Sequence, residues 1–179
     1  MIFSKSLDHC VAVAAFLVAC ATPFCAQPSQ QLTRPKVEGK VILGSVLFEG
    51  DGDEDIEHKA VGAALRVYVT KRLSFEPEYL YMRHSDNDQD HIIQPNIAYD
   101  FTDPTNRLVA YGIAGAGVLY HKDSLFGRGR SVSTWTLSAG GGLKVFLTNR
   151  LFVSPEFRVG REPSFRATIN VGYVFLGRR

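Results

Sequence analysis

Beyond residue 25 the chain has no cysteine; all three (Cys10, Cys20, Cys25) lie within the first 25 residues. The remainder therefore relies on neither a disulfide nor a thiolate metal site. A long apolar run is also missing. The most apolar stretch, Val11–Cys20, is too short to span a bilayer as a helix, which takes ~20 residues. No charge sign dominates either. Twenty Lys and Arg against 18 Asp and Glu leave +2, too little to argue for a nucleic-acid partner. From Val37 onward, no stretch of ten or more residues carries a helical stripe.

What is present begins with a targeting pattern. Lys5 precedes the Val11–Cys20 run, and polar, proline-containing sequence starts at Thr22. This is the layout of an export signal, with cleavage after Ala21 or Ala26, or lipidation of Cys20 within Leu17-Val18-Ala19-Cys20, as the alternatives. Residues 1–26 are read as signal peptide, 27–36 as a polar lead-in and 37–179 as one domain.

That domain alternates with period two. Phe165, Ala167, Ile169, Val171, Tyr173 and Phe175 oppose Arg166, Thr168, Asn170, Gly172 and Val174. Leu73, Phe75, Pro77, Tyr79 and Tyr81 likewise oppose Ser74, Glu76 and Glu78. The pattern predicts eight strands, at 37–50, 59–70, 73–84, 91–101, 107–121, 131–147, 151–161 and 165–176. Most reach the ~9–11 residues that a tilted strand needs to cross a bilayer. Tight connections alternate with longer polar ones, as in a membrane barrel. One face is apolar and aromatic, while the other carries Arg66, Glu76, Glu78, Asp100, Lys144, Glu156, Arg158 and Arg166. A membrane barrel turns the first to lipid and the second to its lumen. The reading places Phe75, Phe101, Tyr111, Tyr173 and Phe175 in one outer girdle, and Tyr79, Tyr81, Trp135 and Phe165 in the other. It assigns Ala110, Gly112, Ala114, Ala116, Gly140 and Gly142 to the lumen as spacers. Pro77, Pro95 and Pro155 fall within strands, where bulges are expected.

The chain also repeats itself. Residues 62–79 match 140–157 at eight of eighteen positions, including Gly62/Gly140, Thr70/Thr148, Arg72/Arg150 and Pro77/Pro155. Asn96–Phe101 echoes Asn170–Phe175. An internal four-strand repeat is the expected architecture.

The Gly-x-x-Leu-basic-Val-aromatic strand, the Thr-x-Arg-Leu turn, the Pro-Glu-aromatic strand and the final strand resemble the small eight-stranded outer-membrane barrels, the OmpA- and OmpX-like group. The resemblance implies an all-β, eight-stranded, antiparallel up-and-down transmembrane barrel in a bacterial outer membrane. It implies lipids and lipopolysaccharide as neighbours, the barrel-assembly machinery as a partner, a monomer, and a structural or adhesive role. Members commonly end on an aromatic residue that the assembly machinery reads; here Phe175 is followed by Leu176-Gly177-Arg178-Arg179.

The inward charges are read as a structural ion network, with Glu78 pairing Arg66 and Glu156 pairing Lys144. A gated polar path is the alternative. His58, His84, His91 and His121 map to the bases of the long loops, near Asp51, Asp53, Asp55, Glu57, Asp86, Asp88 and Asp90. These residue types can ligate a divalent metal. However, Ile56 stands where an EF-hand loop needs Gly, and Gly62 where it needs the closing Glu. They are read as solvated loop residues, with no cofactor. Ser85 beside His84 and Asp86, and Ser131 and Ser133 near His121, lack the spacing of a nucleophile site, so no enzyme is expected. Gly127-Arg128-Gly129-Arg130 makes one long loop basic, suited to lipopolysaccharide phosphates. The alternatives to the structural role are a narrow channel, a lipid-modifying enzyme and a soluble ligand-binding barrel with its apolar face inward.

Overall fold

A computed structural model describes residues 34–49, 55–85, 88–123, 130–161 and 164–178. The signal peptide expected over 1–26 and the basic loop motif at 127–129 lie outside them. Eight strands form one closed barrel: β1 (Arg34–Glu49), β2 (Asp55–Tyr68), β3 (Leu73–Ser85), β4 (Asp88–Asp100), β5 (Leu108–Asp123), β6 (Arg130–Phe146), β7 (Leu151–Gly160) and β8 (Ser164–Arg178). Each is antiparallel to its neighbours, and β1 closes the sheet on β8. All eight expected strands are present, with ends no more than four residues from the sequence-based bounds. Closure leaves no strand edge unpaired, which a lipid environment requires.

The β2–β3 and β6–β7 turns are built alike. The Thr70 hydroxyl accepts from the amides of Arg72 (3.3 Å) and Leu73 (3.0 Å). Thr148 does the same for Arg150 (3.3 Å) and Leu151 (3.0 Å). In the β4–β5 turn, Thr102 accepts from the Ala110 amide at 3.2 Å. These side-chain bonds satisfy amides in the turns and at the strand ends beside them.

The bulges expected at the prolines are not found. Pro77 pairs with Pro95 across β3–β4, and Pro155 with Ile169 across β7–β8, in unbroken register. Pairing instead lapses on each proline's other flank, without a shift. It passes from Ala64↔Glu78 to Val67↔Phe75 in β2–β3, from Ile93↔Val118 to Asn96↔Gly115 in β4–β5, and from Gly142↔Glu156 to Val145↔Val153 in β6–β7. A residue facing its partner in a non-hydrogen-bonded pair directs its N–H at the opposite neighbour, so a proline there costs one bond without moving the register. Register shifts lie elsewhere, between Pro35 and Glu38 in β1–β8 and between Arg83 and Ser85 in β3–β4.

Burial alternates along the strands. Ser74, Glu76, Glu78 and Leu80 are buried in the lumen, while Phe75 and Tyr79 are exposed on the outside. The outer face is an apolar belt from Val41 and Leu43 on β1 round to Ile169 and Val171 on β8. The charged face is the inner one, so a soluble barrel with an apolar interior is ruled out.

On β5 the expected faces are reversed. Val109, Tyr111 and Ile113 are buried, at 0%, 2% and 4% exposure. Gly112 pairs with the outward Tyr99, and Ala114 with the outward Ile97. Tyr111 is therefore a lumen residue and not part of the girdle, and Ala110, Gly112, Ala114 and Ala116 face out. The spacing of large by small residues operates between strands: the Tyr111 hydroxyl lies 2.5 Å from where a Cβ on Gly142 of β6 would sit. Outside, Phe101 covers Gly112 and Phe175 covers Gly39.

Candidate functional site

The lumen is filled by three levels of side chains. At the end with the short turns, Val109, Phe146, Phe152 and Val174 form an apolar cluster. Phe152 lies over Gly172, where a Cβ would meet its ring at 2.1 Å. Toward the long loops, Ile42, Val46, Ala60, Ala64, Leu80, Met82 and Ile92 form a second cluster, with Phe48 and Leu119 packed on it. Charged residues occupy the space between.

Lys144 lies nearest the short turns. Its Nζ reaches Glu38 Oε2 at 2.9 Å and the Tyr68 hydroxyl at 2.6 Å. Tyr68 in turn donates to Asp100 Oδ2 at 2.7 Å. One level on, Lys40 Nζ bridges Glu76 Oε1 (2.8 Å) and Glu156 Oε2 (3.0 Å). Arg66 pairs with Glu76 through Nε, approaches Asp100 at 3.6 Å and lies 4.5 Å above the Tyr111 ring. Above these, Arg158 binds Glu156 through Nε (2.8 Å), Glu78 through Nη2 (2.8 Å) and Asn96 through Nη1 (3.1 Å). Arg166 grips Glu78 with both terminal nitrogens, at 2.6 and 2.9 Å. Bidentate guanidinium–carboxylate pairs of this kind hold a fixed geometry.

The structure thus brings together all eight charged residues singled out from sequence: Arg66, Glu76, Glu78, Asp100, Lys144, Glu156, Arg158 and Arg166. It does not pair them as expected. Register sets Glu78 opposite Ala64 and Glu156 opposite Gly142. Glu76 is thereby brought level with Arg66, and Lys144 turns across the lumen to Glu38. Two members were missed, Glu38 and Lys40 on β1. Their signal was the polar alternation of Glu38 and Lys40 with Val37, Gly39 and Val41. With them the network holds five carboxylates (Glu38, Glu76, Glu78, Asp100, Glu156) and five cations (Lys40, Arg66, Lys144, Arg158, Arg166), all buried. The sum is zero, as a low-dielectric interior demands.

Tyr111 ties the network to the barrel wall. Its hydroxyl donates to Glu156 Oε2 at 2.7 Å and lies 2.8 Å from Ser154 Oγ. Tyr111→Phe is expected to cost about 1.5–3 kcal/mol, the value of a hydrogen bond to a charged group, read from urea unfolding of the reconstituted protein.

The histidines separate. His58 and His121 both turn to Asp90: His121 Nδ1 is 2.5 Å from Oδ1, and His58 Nε2 is 3.7 Å from Oδ2. Phe48 packs edge-on against His58 with 5.1 Å between centroids. His91 is outside the lumen, with Nδ1 2.7 Å from the Tyr79 hydroxyl. The His84 side chain is outside the described residues. Among the described residues, no group of three or more His, Cys, Asp or Glu is arranged to hold a metal ion.

Room inside is scarce. The space among Glu38, Lys40, Arg66, Glu76 and Lys144 leaves no volume for a water. A cavity of about 30 Å³ at the long-loop side borders Gln94, Ser138, Arg158 and Arg166.

A comparison with curated protein sequences finds no match. Solved structures similar to this chain include Neisserial surface protein A, with a TM-score of 0.69 at 12% identity, covering 78% of this chain and 97% of that one. The N-terminal β-barrel domain of Pseudomonas aeruginosa OprF gives 0.61 at 14% identity, over 76% and 96%. Ail, the attachment invasion locus protein of Yersinia pestis, gives 0.57 at 14% identity, over 78% and 98%. At such identities the likeness is one of fold. A family model for the outer membrane protein beta-barrel domain matches residues 12–175. That span covers nearly the whole chain and every strand but the tip of β8, and so the protein belongs to the outer-membrane β-barrel family.

Proposed function

We propose that this protein is a sealed barrel that acts through its outer surface and its loops, in a structural or adhesive role. The carrying observation is the neutral ten-residue charge network, which leaves no space for water among Lys40, Arg66, Glu76 and Lys144. A lumen built in this way holds the wall together and conducts nothing. The names of two structural neighbours, a surface protein and an attachment invasion locus protein, accord with work done at the exposed end. In this reading an N-terminal signal directs export, and the short turns and both strand termini face the periplasm, the usual orientation of such barrels. The long loops face outward beside lipopolysaccharide. The protein is a monomer without cofactor or catalytic activity.

One observation favours a second reading, a narrow polar path. Arg166 Nε, the Thr168 hydroxyl and the Asn170 amide, all on the lumen side of β8, are buried without hydrogen-bond partners. Conductance separates the two. The full chain in planar bilayers is expected to give no steady current above the bare membrane. Discrete, reproducible steps would sink the sealed reading in favour of the path along β8.

A further inference from the structure

The two ends of the barrel differ in charge. On the long-loop side, the sequence from 49 to 57 contains six acidic residues and no Lys or Arg. At the other end each short turn closes on an arginine followed by a leucine: Arg72-Leu73, Arg107-Leu108 and Arg150-Leu151. Lys36 and Lys71 add to this end and are exposed, as are Arg72 and Arg150. The one carboxylate among these turns, Asp103, is engaged by the amide and hydroxyl of Thr105, at 2.9 and 2.7 Å. Directly above lies the aromatic belt of Phe75, Tyr99, Phe101, Tyr173 and Phe175, all more than a third exposed. Aromatic belts of this kind settle at headgroup depth. The collar of cations therefore sits where lipid phosphates are.

Within the collar one seat is formed. A groove of about 620 Å³ opens beside the β2–β3 turn, where β1 shifts register against β8. Val37, Val67, Val69 and Leu176 make its apolar wall, and Lys36 and Lys71 line it as well. Val69 and Leu176 are 69% and 59% exposed. An apolar wall bordered by two lysines matches the chemistry of one molecule class, an amphiphile with acyl chains and an anionic phosphate head.

We propose that this groove is a binding site for an anionic phospholipid, its phosphate held between Lys36 and Lys71 and its chains laid along Val37, Val67 and Leu176. The flanking arginines favour the same leaflet charge, since guanidinium binds phosphate through paired donors. A zwitterionic lipid fits the wall equally well but gains less from the two lysines, because its ammonium offsets its phosphate. The site rests on the membrane-spanning barrel and not on the sealed lumen, so it stands whether or not the protein conducts.

The test is electron spin resonance of the full chain in phosphatidylcholine bilayers, comparing spin-labelled phosphatidylglycerol with spin-labelled phosphatidylcholine at the protein surface. Phosphatidylglycerol is expected to be preferred roughly fivefold, allowing for salt screening of two near-surface lysines. K36Q/K71Q is expected to bring the ratio close to one. Lys59→Gln removes a charge from an exposed site near the opposite end and is expected to leave the preference intact. Equal association of the two lipids with the unmodified protein overturns the proposal. A preference that survives K36Q/K71Q overturns it as well, and assigns the selectivity to the collar at large.

Discussion

Arg158→Met is expected to lower the unfolding free energy of the barrel by about 3–5 kcal/mol, the cost of stripping the partner from buried charge. Arg158 is the cation that joins the most carboxylates: Glu78 and Glu156 at 2.8 Å, and Glu76 at 3.7 Å. Its side chain is 1% exposed. Methionine fills similar volume without charge, so packing is nearly conserved and the loss is electrostatic. The network then carries five carboxylates against four cations, with only the small cavity beside Arg158, about 30 Å³, to hold water that could absorb the difference. Restoring the balance should recover part of the loss. Adding Glu78→Gln returns the count to four against four, and the double variant is expected to lose about 1–3 kcal/mol less than the two single losses summed, the usual range for coupled neighbours. Urea unfolding in detergent or lipid, followed by the gel shift between boiled and unboiled samples, reads each value. A loss below about 1 kcal/mol for Arg158→Met would mean that bulk water reaches the guanidinium, and the sealed lumen would be wrong along with it.

The wall of the barrel was legible because a membrane inverts the usual burial rule. Along β3, β4, β7 and β8 one face is apolar and the other carries charge, so the strands and their orientation follow from alternation alone. β5 offered no such contrast. Its two faces, Val109, Tyr111, Ile113 and Gly115 against Ala110, Gly112, Ala114 and Ala116, contain no charge between them. Size was then the only guide, and it misled: the large side chains turn inward because β6 presents Gly140 and Gly142 opposite them. The partners within the network were hidden for a related reason. Alternation tells which residues share a face but not how far one strand has slid along the next. Several contacts also cross the lumen between strands distant in sequence. Lys40 and Glu156 are 116 residues apart, and Lys144 and Glu38 are 106 apart. Closure of the barrel creates these pairs, and no local pattern encodes them. Asp90 meeting both His58 and His121 is a third case, since it needs β2, β4 and β5 to be arranged around one rim.

Gly140→Ala is expected to cost about 3 kcal/mol or more, at the upper end for overpacking, although it adds a single methyl. A Cβ at Gly140 would lie 2.0 Å from the Phe157 carbonyl oxygen and 2.6 Å from Arg158 Cα. Both are backbone atoms of β7, held in the ladder by Gly140↔Arg158 and Gly141↔Phe157 pairing. Neither can swing aside as a side-chain tip can, so the two strands must separate. The movement would also carry Arg158 away from Glu78 and Glu156, adding a second loss to the first. Gly112→Ala is the control. Its Cβ would crowd the Phe101 ring, at 3.0 Å, on the outer face, with the Gly140 carbonyl oxygen at an ordinary contact distance of 3.8 Å, and a ring 61% exposed is free to turn. A cost of about 1 kcal/mol at most is expected there, since contacts to movable surface groups are rarely worth more. Both values come from the same urea titration. Equal costs at the two glycines would show that β6 and β7 relax apart without penalty, and the charge network would then be held by its own pairing and not by the wall around it.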